Sequence, residues 1–416
     1  VITKKLIELP LGKIGIVGFV FFVPISIAIS QLCIGLAIAG WLLLMIREKS
    51  LVWKKTPLDY PILIYLFTQI IAVLFSQNIG EGLSAWLNTD WFILFYYATI
   101  NLIDSEEDFK HLLLIFTIAG CISAVYGIIQ HFIGIEFFRN KILSPRGNFY
   151  RATGFFNMSL TYGGIQLALF TFLSPFYFIH DLGVKKSMMR MILIILFASI
   201  IASYARSAWL GLGVFMLLVF ILVRNRYKYY ASAFIVFIFV MIYFVHPDLL
   251  FRQGVFSMFD ISENAPYNNL VRLKLWESSW AMFKDHWIFG IGYSDWDHIF
   301  SFYKVPFDYR GLNDPHNDLL RVLALSGLTG GLAFLYLWIS DLRHKYLSFR
   351  PNHREITLWK AGSLGSFLTI IAFLAAGITQ EYYHDAEIAE LWWFLVALGM
   401  ISVMKLKSLT FNKKNI

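Results

Sequence analysis

Cysteine is nearly absent, with two residues, Cys33 and Cys121, in a chain of 416. Both stand in apolar runs, which excludes a disulfide framework and a cysteine metal site. Charge is scarce too: Asp, Glu, Lys and Arg make up 15% of the chain, too little to coat a soluble domain. No internal repeat and no low-complexity tract are visible. No cleavable signal peptide is expected, because the first apolar run lacks a small-residue cleavage site and flows into another span.

What is present is apolar length. Hydrophobic residues make up 58% of the chain and aromatics 18%, with a mean hydropathy of +0.63. Runs long enough to cross a bilayer recur from end to end. The expected architecture is an all-α polytopic membrane protein of about 12 transmembrane helices. Residues 11–46 are read as two spans broken near Pro24–Ser26. Further spans are expected at 57–75, 84–103, 110–133 and 159–180. Residues 188–223 are split at Ser203-Tyr204-Ala205-Arg206-Ser207, and the last four spans are 229–246, 316–341, 357–378 and 387–405. Residues 1–416 then form a single membrane domain, and 247–315 forms one large outer loop between spans 9 and 10.

The positive-inside bias fits this count with both termini cytoplasmic. Most of the 35 Lys and Arg fall on the inner side, so the net charge of +8 implies no nucleic-acid partner. The exceptions are informative. Arg139, Lys141, Arg146 and Arg151 lie in the outer loop 134–158. Arg206 sits between two apolar segments. Arg252, Arg272, Lys274, Lys284, Lys304, Arg310 and Arg321 lie in the large outer segment or just after it. Basic residues kept outside against the bias suggest an anionic ligand there, although long loops also translocate regardless of charge. Within 247–315, Arg272, Trp276, Trp280 and Phe283 or Lys284 share one helical face. They suggest an amphipathic helix lying on the membrane or across a site.

An Arg within a span is costly and is usually paired or functional, so Arg206 is the strongest single clue; an interfacial anchor is the plainer reading. In Asn313-Asp314-Pro315-His316-Asn317-Asp318, Asp314 is expected as a helix N-cap with Pro315 at the first helical position. His316 would then sit in the first turn, either as a neutral proton acceptor or as part of the cap. Asp285-His286, Asp297-His298 and His384-Asp385 lack metal-ligand spacing, so no metal and no other cofactor is expected. Glu381, Asp385 and Glu387 form an acidic cluster that reads individually as a solvated loop.

Together these stretches resemble the O-antigen ligase and polymerase superfamily. The resemblance rests first on Asp314-Pro315-His316-Asn317-Asp318-Leu319-Leu320 followed by Ser326-Gly327-Leu328-x-Gly330. It rests next on Ser203-x-x-Arg206-Ser207-x-x-Leu210-Gly211, on Asn269-x-x-Arg272-x-x-x-Trp276, and on Trp287-x-x-Gly290-x-Gly292. A looser element is Arg151-x-x-Gly154 with Phe156 and Asn157 adjacent.

The resemblance implies a GT-C-like glycosyltransferase at the periplasmic face of the bacterial inner membrane. Its donor would be a glycan on undecaprenyl diphosphate and its acceptor a hydroxyl. That hydroxyl belongs to lipid A–core in a ligase, to another repeat unit in a polymerase, and to a protein Ser in an oligosaccharyltransferase. His316 would be the general base, and Arg206 and Arg272 the catalytic cations. Arg146, Arg151 and Arg310 would bind the substrate. Asn317 would orient the ring or the donor, and Asp385 or Glu381 would hold His316 or the acceptor. A transporter, as some members of the superfamily are labelled, is the rival from another class. It would place binding residues near the midplane on broken, repeated helices.

Overall fold

The computed structural model describes residues 11–179, 184–222, 266–309, 311–350 and 356–414. The expected span 229–246, the first part of the large loop, Arg252 and Arg310 lie outside the described residues.

Among the described residues the chain is helical, with two short strand pairs. In order it forms α1 (Leu11–Phe22), α2 (Ile27–Glu48), α3 (Asp59–Leu74), α4 (Ile79–Asp90), α5 (Phe92–Leu102) and α6 (Glu106–Ile133). Strands β1 (Ile135–Glu136), β2 (Lys141–Ile142), β3 (Pro145–Arg146) and β4 (Phe149–Tyr150) follow. Then come α7 (Ser159–Leu173), α8 (Lys186–Ala202), α9 (Arg206–Leu222), α10 (Tyr267–Asp285), α11 (Trp296–Tyr303), α12 (Asp318–Phe349), α13 (Leu358–Ala376) and α14 (Ala386–Lys414).

Among the described residues, α2, α6, α12, α13 and the Ala386–Leu409 part of α14 are long and apolar enough to cross a membrane; α1, α3 and α9 are shorter apolar helices. The breaks near Pro24 and at 203–205 fall where the sequence placed them. Two other expected spans differ. The stretch 84–103 is two helices, α4 and α5, meeting at Trp91. The stretch 159–180 is α-helical only to Leu173; a 3-10 turn at Ser174–Phe178 follows, with Pro175 supplying no N–H to continue the ladder.

Helix α14 is the centre of the bundle. Its apolar window is 89% buried, against 33% for α2 at the periphery, and a helix that is apolar all round belongs inside. Trp392 and Trp393 pack on Trp338 of α12, and α13 runs alongside. Inside the bundle, Lys345 donates to Asp341 at 2.6 Å with both side chains fully buried. Each thereby gives the other the partner that an intramembrane charge requires.

Helix α12 is broken at Gly327 (φ 64°, ψ −164°), about 13 Å along from Asp318. A break at such depth strands backbone polar groups that water does not reach. The segment 287–292 repairs it. Ile291 and Gly292 donate to the carbonyls of Ala324 and Leu325 at 3.0 and 2.9 Å. Leu328 and Thr329 donate to the carbonyls of Trp287 and Ile288 at 2.7 and 3.2 Å. A Cβ on Gly327 would lie 2.3 Å from the Ile288 carbonyl oxygen, and one on Gly290 (φ 75°) 2.3 Å from the Leu325 carbonyl. The stretch 287–292 is therefore bonded on both sides of the break. It straps α10 and its neighbours to α12.

Candidate functional site

Four chain segments converge at one end of the bundle. The first is the β3–β4 hairpin, closed through Gly147 and Asn148. Beyond it Ala152 donates to the Ala202 carbonyl at 3.0 Å, so the chain lies against the end of α8. Gln130 of α6 fixes the next turn, accepting from Thr153 and Gly154 and donating to the Gly154 carbonyl at 2.8 Å. The second segment is the corner between α8 and α9. Tyr204 takes a left-handed conformation (φ 50°), and the Ser203 hydroxyl accepts from Ala205 N–H at 3.1 Å. Arg206 therefore opens a helix at the edge of the bundle instead of lying in mid-span. Arg151 reaches this corner, its Nε donating to the Ser203 carbonyl at 3.3 Å.

The third segment is α10. Its inward face is Val271, Leu275, Ser278 and Met282, packed against α12. Trp280, grouped with Arg272 by helical spacing, is 47% exposed. Trp276 Nε1 donates to the Pro315 carbonyl at 2.9 Å, which ties this helix to the approach to α12. The fourth segment is the approach to α12, and here the expected capping is corrected. Asn317 is the N-cap, its side chain accepting from Leu320 N–H at 3.0 Å. Asp314 instead ion-pairs with Arg321, and Pro315 lies outside the helix. His316 also precedes the helix, in a left-handed conformation (φ 49°) that is strained for any side chain.

That strained residue is held by the loop between α13 and α14. Glu381 Oε1 accepts from the His316 backbone N–H at 2.9 Å, and its other oxygen pairs with Arg321 at 3.1 Å. Arg321 in turn lies over the Trp296 ring at 4.5 Å. Asp318 accepts from the backbone N–H groups of Tyr382 and Tyr383 at 3.2 and 2.9 Å. Asn317 Nδ2 donates to the Ile378 carbonyl at 3.0 Å, and Tyr382 OH meets Ser207 Oγ at 3.2 Å, next to Arg206. One loop thus touches both the His316 turn and the Arg206 helix. Asp385 does not reach His316: it accepts from Thr161 Oγ1 at 2.7 Å.

The four segments enclose a cavity of about 420 Å³ whose wall includes Arg146, Arg151, Arg206, Arg272, His316, Tyr204 and Gln380. The candidates Arg146, Arg151, Arg206, Arg272 and His316 are brought together. Asn317 and Asp385 stand outside the wall, in structural roles.

The electrostatics follow from burial and crowding. Burial, then Arg206 and Arg151, brings the Arg272 guanidinium down to about 10. Burial, then Arg146 and Arg206, does the same for Arg151. Among the described residues no carboxylate stands at ion-pair distance from either. Burial, with Arg272 next, also holds the His316 imidazole below its usual value, against the opposing pull of Asp314. At neutral pH the ring is therefore an uncharged base facing cations. Burial lifts Glu381 to about 7 despite its pairing with Arg321. An oxyanion fits this cavity, and a hydroxyl group has a base within it.

Gln380 carries no signal of its own in the sequence. Only its place beside Glu381, once Glu381 is known to hold His316, points to it.

No curated protein matches the chain. Residues 191–335, which carry Arg206, Arg272 and His316, match the family model described as O-Antigen ligase.

Proposed function

We propose that the chain transfers a glycan from undecaprenyl diphosphate to an acceptor hydroxyl, that of lipid A–core, by inverting glycosyl transfer. The observation that carries this reading is the convergence of four arginines and an uncharged histidine on one cavity. As the anomeric C–O bond breaks, negative charge collects on the departing diphosphate. Guanidinium groups answer it with permanent charge and forked donors. Arg206 and Arg272 take this role, and Arg146 and Arg151 hold the rest of the diphosphate. His316 removes the proton of the acceptor hydroxyl as its oxygen bonds to the anomeric carbon from the opposite face. The proton then passes from the imidazole to solvent. Glu381 positions the base through its backbone.

With this chemistry go a GT-C-like bundle of about twelve spans and a single membrane domain. The 247–315 loop and the cavity face the periplasm of the inner membrane, and both termini are cytoplasmic. A polymerase or a protein oligosaccharyltransferase would use the same residues on another acceptor. A transporter reading is weaker, because the charged residues that line the cavity stand at helix ends and in loops.

The test is purified protein in lipid, given a lipid-diphosphate-linked glycan and a panel of lipid A–core, glycan and peptide acceptors. Transfer is expected from the wild type and not from His316→Ala or Arg206→Ala. Transfer by both variants at the wild-type rate rejects the mechanism.

A further inference from the structure

The cation and the base of the site are carried on different helices. Arg206 opens α9, which packs on α7 and α13, and His316 leads into α12, which packs on α3, α10 and α13. A reaction that uses both must hold their separation, because a misplacement of about 1 Å can cost about 100-fold in rate. One residue joins the two. Tyr382 lies in the loop between α13 and α14, and its backbone N–H donates to Asp318, the first residue of α12, at 3.2 Å. Its phenol shares a hydrogen bond of 3.2 Å with the hydroxyl of Ser207, the residue after Arg206.

The ring between these two bonds is fixed in place. Tyr382 and Ser207 are both fully buried. The ring meets Phe373 of α13 edge-on at 5.6 Å, and a Cβ on Gly164 of α7 would lie 3.1 Å from its Cζ. Burial holds the phenol above its ordinary value, with the Ser207 bond pulling the other way, so it stays protonated near neutral pH. A flat aromatic ring separates the main-chain bond from the hydroxyl bond, so the residue acts as a spacer of set length. From this geometry we infer that Tyr382 is a positioning residue that fixes the distance between Arg206 and His316 through its bond to Ser207. The inference rests on the proposed glycan transfer and deepens it: cation and base are held in register by a side chain that acts through its neighbours.

The experiment compares wild type in lipid with Tyr382→Phe, Ser207→Ala and the double variant. Tyr382→Phe is expected to lower kcat about 10- to 100-fold per folded molecule. KM for the lipid-diphosphate-linked donor should change little, because the arginines remain. Ser207→Ala should give the same loss from the other end of the bond, and it decides the matter if Tyr382→Phe does not fold. The double variant should lose no more than either single variant, since all three break one bond. Losses that multiply in the double variant would overturn the inference. So would a lower melting temperature with kcat per folded molecule unchanged, which is the mark of a structural role alone.

If the wild type transfers nothing to any acceptor, the proposed function fails by itself, and the inference is decided without turnover. Spin labels are placed at two exposed positions, Gly213→Cys on α9 and Leu319→Cys on α12, in a chain carrying Cys33→Ala and Cys121→Ala. Tyr382→Phe is expected to shift or broaden the distribution of distances between the labels. An unchanged distribution rejects the inference.

Discussion

Arg321 and the arginines of the cavity are treated in opposite ways. Arg321 is paired with Asp314 and Glu381 and covered by Trp296, so its charge is spent inside the protein on holding a turn. Arg151 and Arg272 are buried with no carboxylate at ion-pair distance among the described residues, in a cavity they share with Arg146 and Arg206. On the function proposed above, such crowding keeps a place for the anionic diphosphate. The lesson is that basic charge near the site does not by itself mark an anion-binding arginine. The company it keeps does.

Several substitutions would break or sharpen that contrast. The largest effect is expected at the base: His316→Ala should cut turnover by about 10²–10⁴-fold, measured as glycan transfer by protein that still melts cooperatively. Next, Arg206→Gln and Arg272→Gln should each lower kcat by about 10²–10³-fold, and Arg272→Gln should do so with no loss of melting temperature, because it relieves crowding among cations. Arg321→Gln should do the reverse. It removes one partner of a largely buried cluster and should cost about 3 kcal/mol of stability, read as a lower melting temperature, with activity falling only as the folded fraction falls.

The pH profile gives a subtler contrast. Protonation of His316 removes the base, so kcat/KM should fall as pH drops. Because the folded ring titrates below the ordinary value of 6.5, the midpoint of that acid limb should lie below 6.5. Arg272→Gln removes a cation that depresses the ring and should move the midpoint up. A midpoint unmoved by that change would mean that the two residues do not face each other. The smallest effect is expected from a chelator, which should leave the rate unchanged if the guanidiniums alone meet the leaving charge.

Much of this contrast was legible in the sequence, for a physical reason. Arg206 and Arg272 stand out against apolar surroundings or against the charge bias of membrane topology, and both are one-dimensional signals. The corner at 203–205 was visible for the same reason. The capping of α12 was misread because Asp314-Pro315 is a good start signal. It is outbid by Asn317, whose cap on Leu320 N–H is local but whose bond to the Ile378 carbonyl is not, and by the long-range Asp318 contacts to loop 377–385. Arg321 was grouped with the anion-binding set because its partners Glu381 and Trp296 are far away in sequence. Gln380 and the strap over Gly327 share that cause. Each is defined by contacts between segments, and no spacing within one segment encodes them.

The strap also sets a rule for how such chains can diverge in length. Between Trp287 and Gly292 the two sides of the break are matched residue for residue by four backbone bonds. A single inserted residue there would slide α10 by about 3.3 Å of extended chain and carry Arg272 away from His316. The distance from cation to base is therefore gauged by a count of residues, and that count lies in a stretch that touches neither of them.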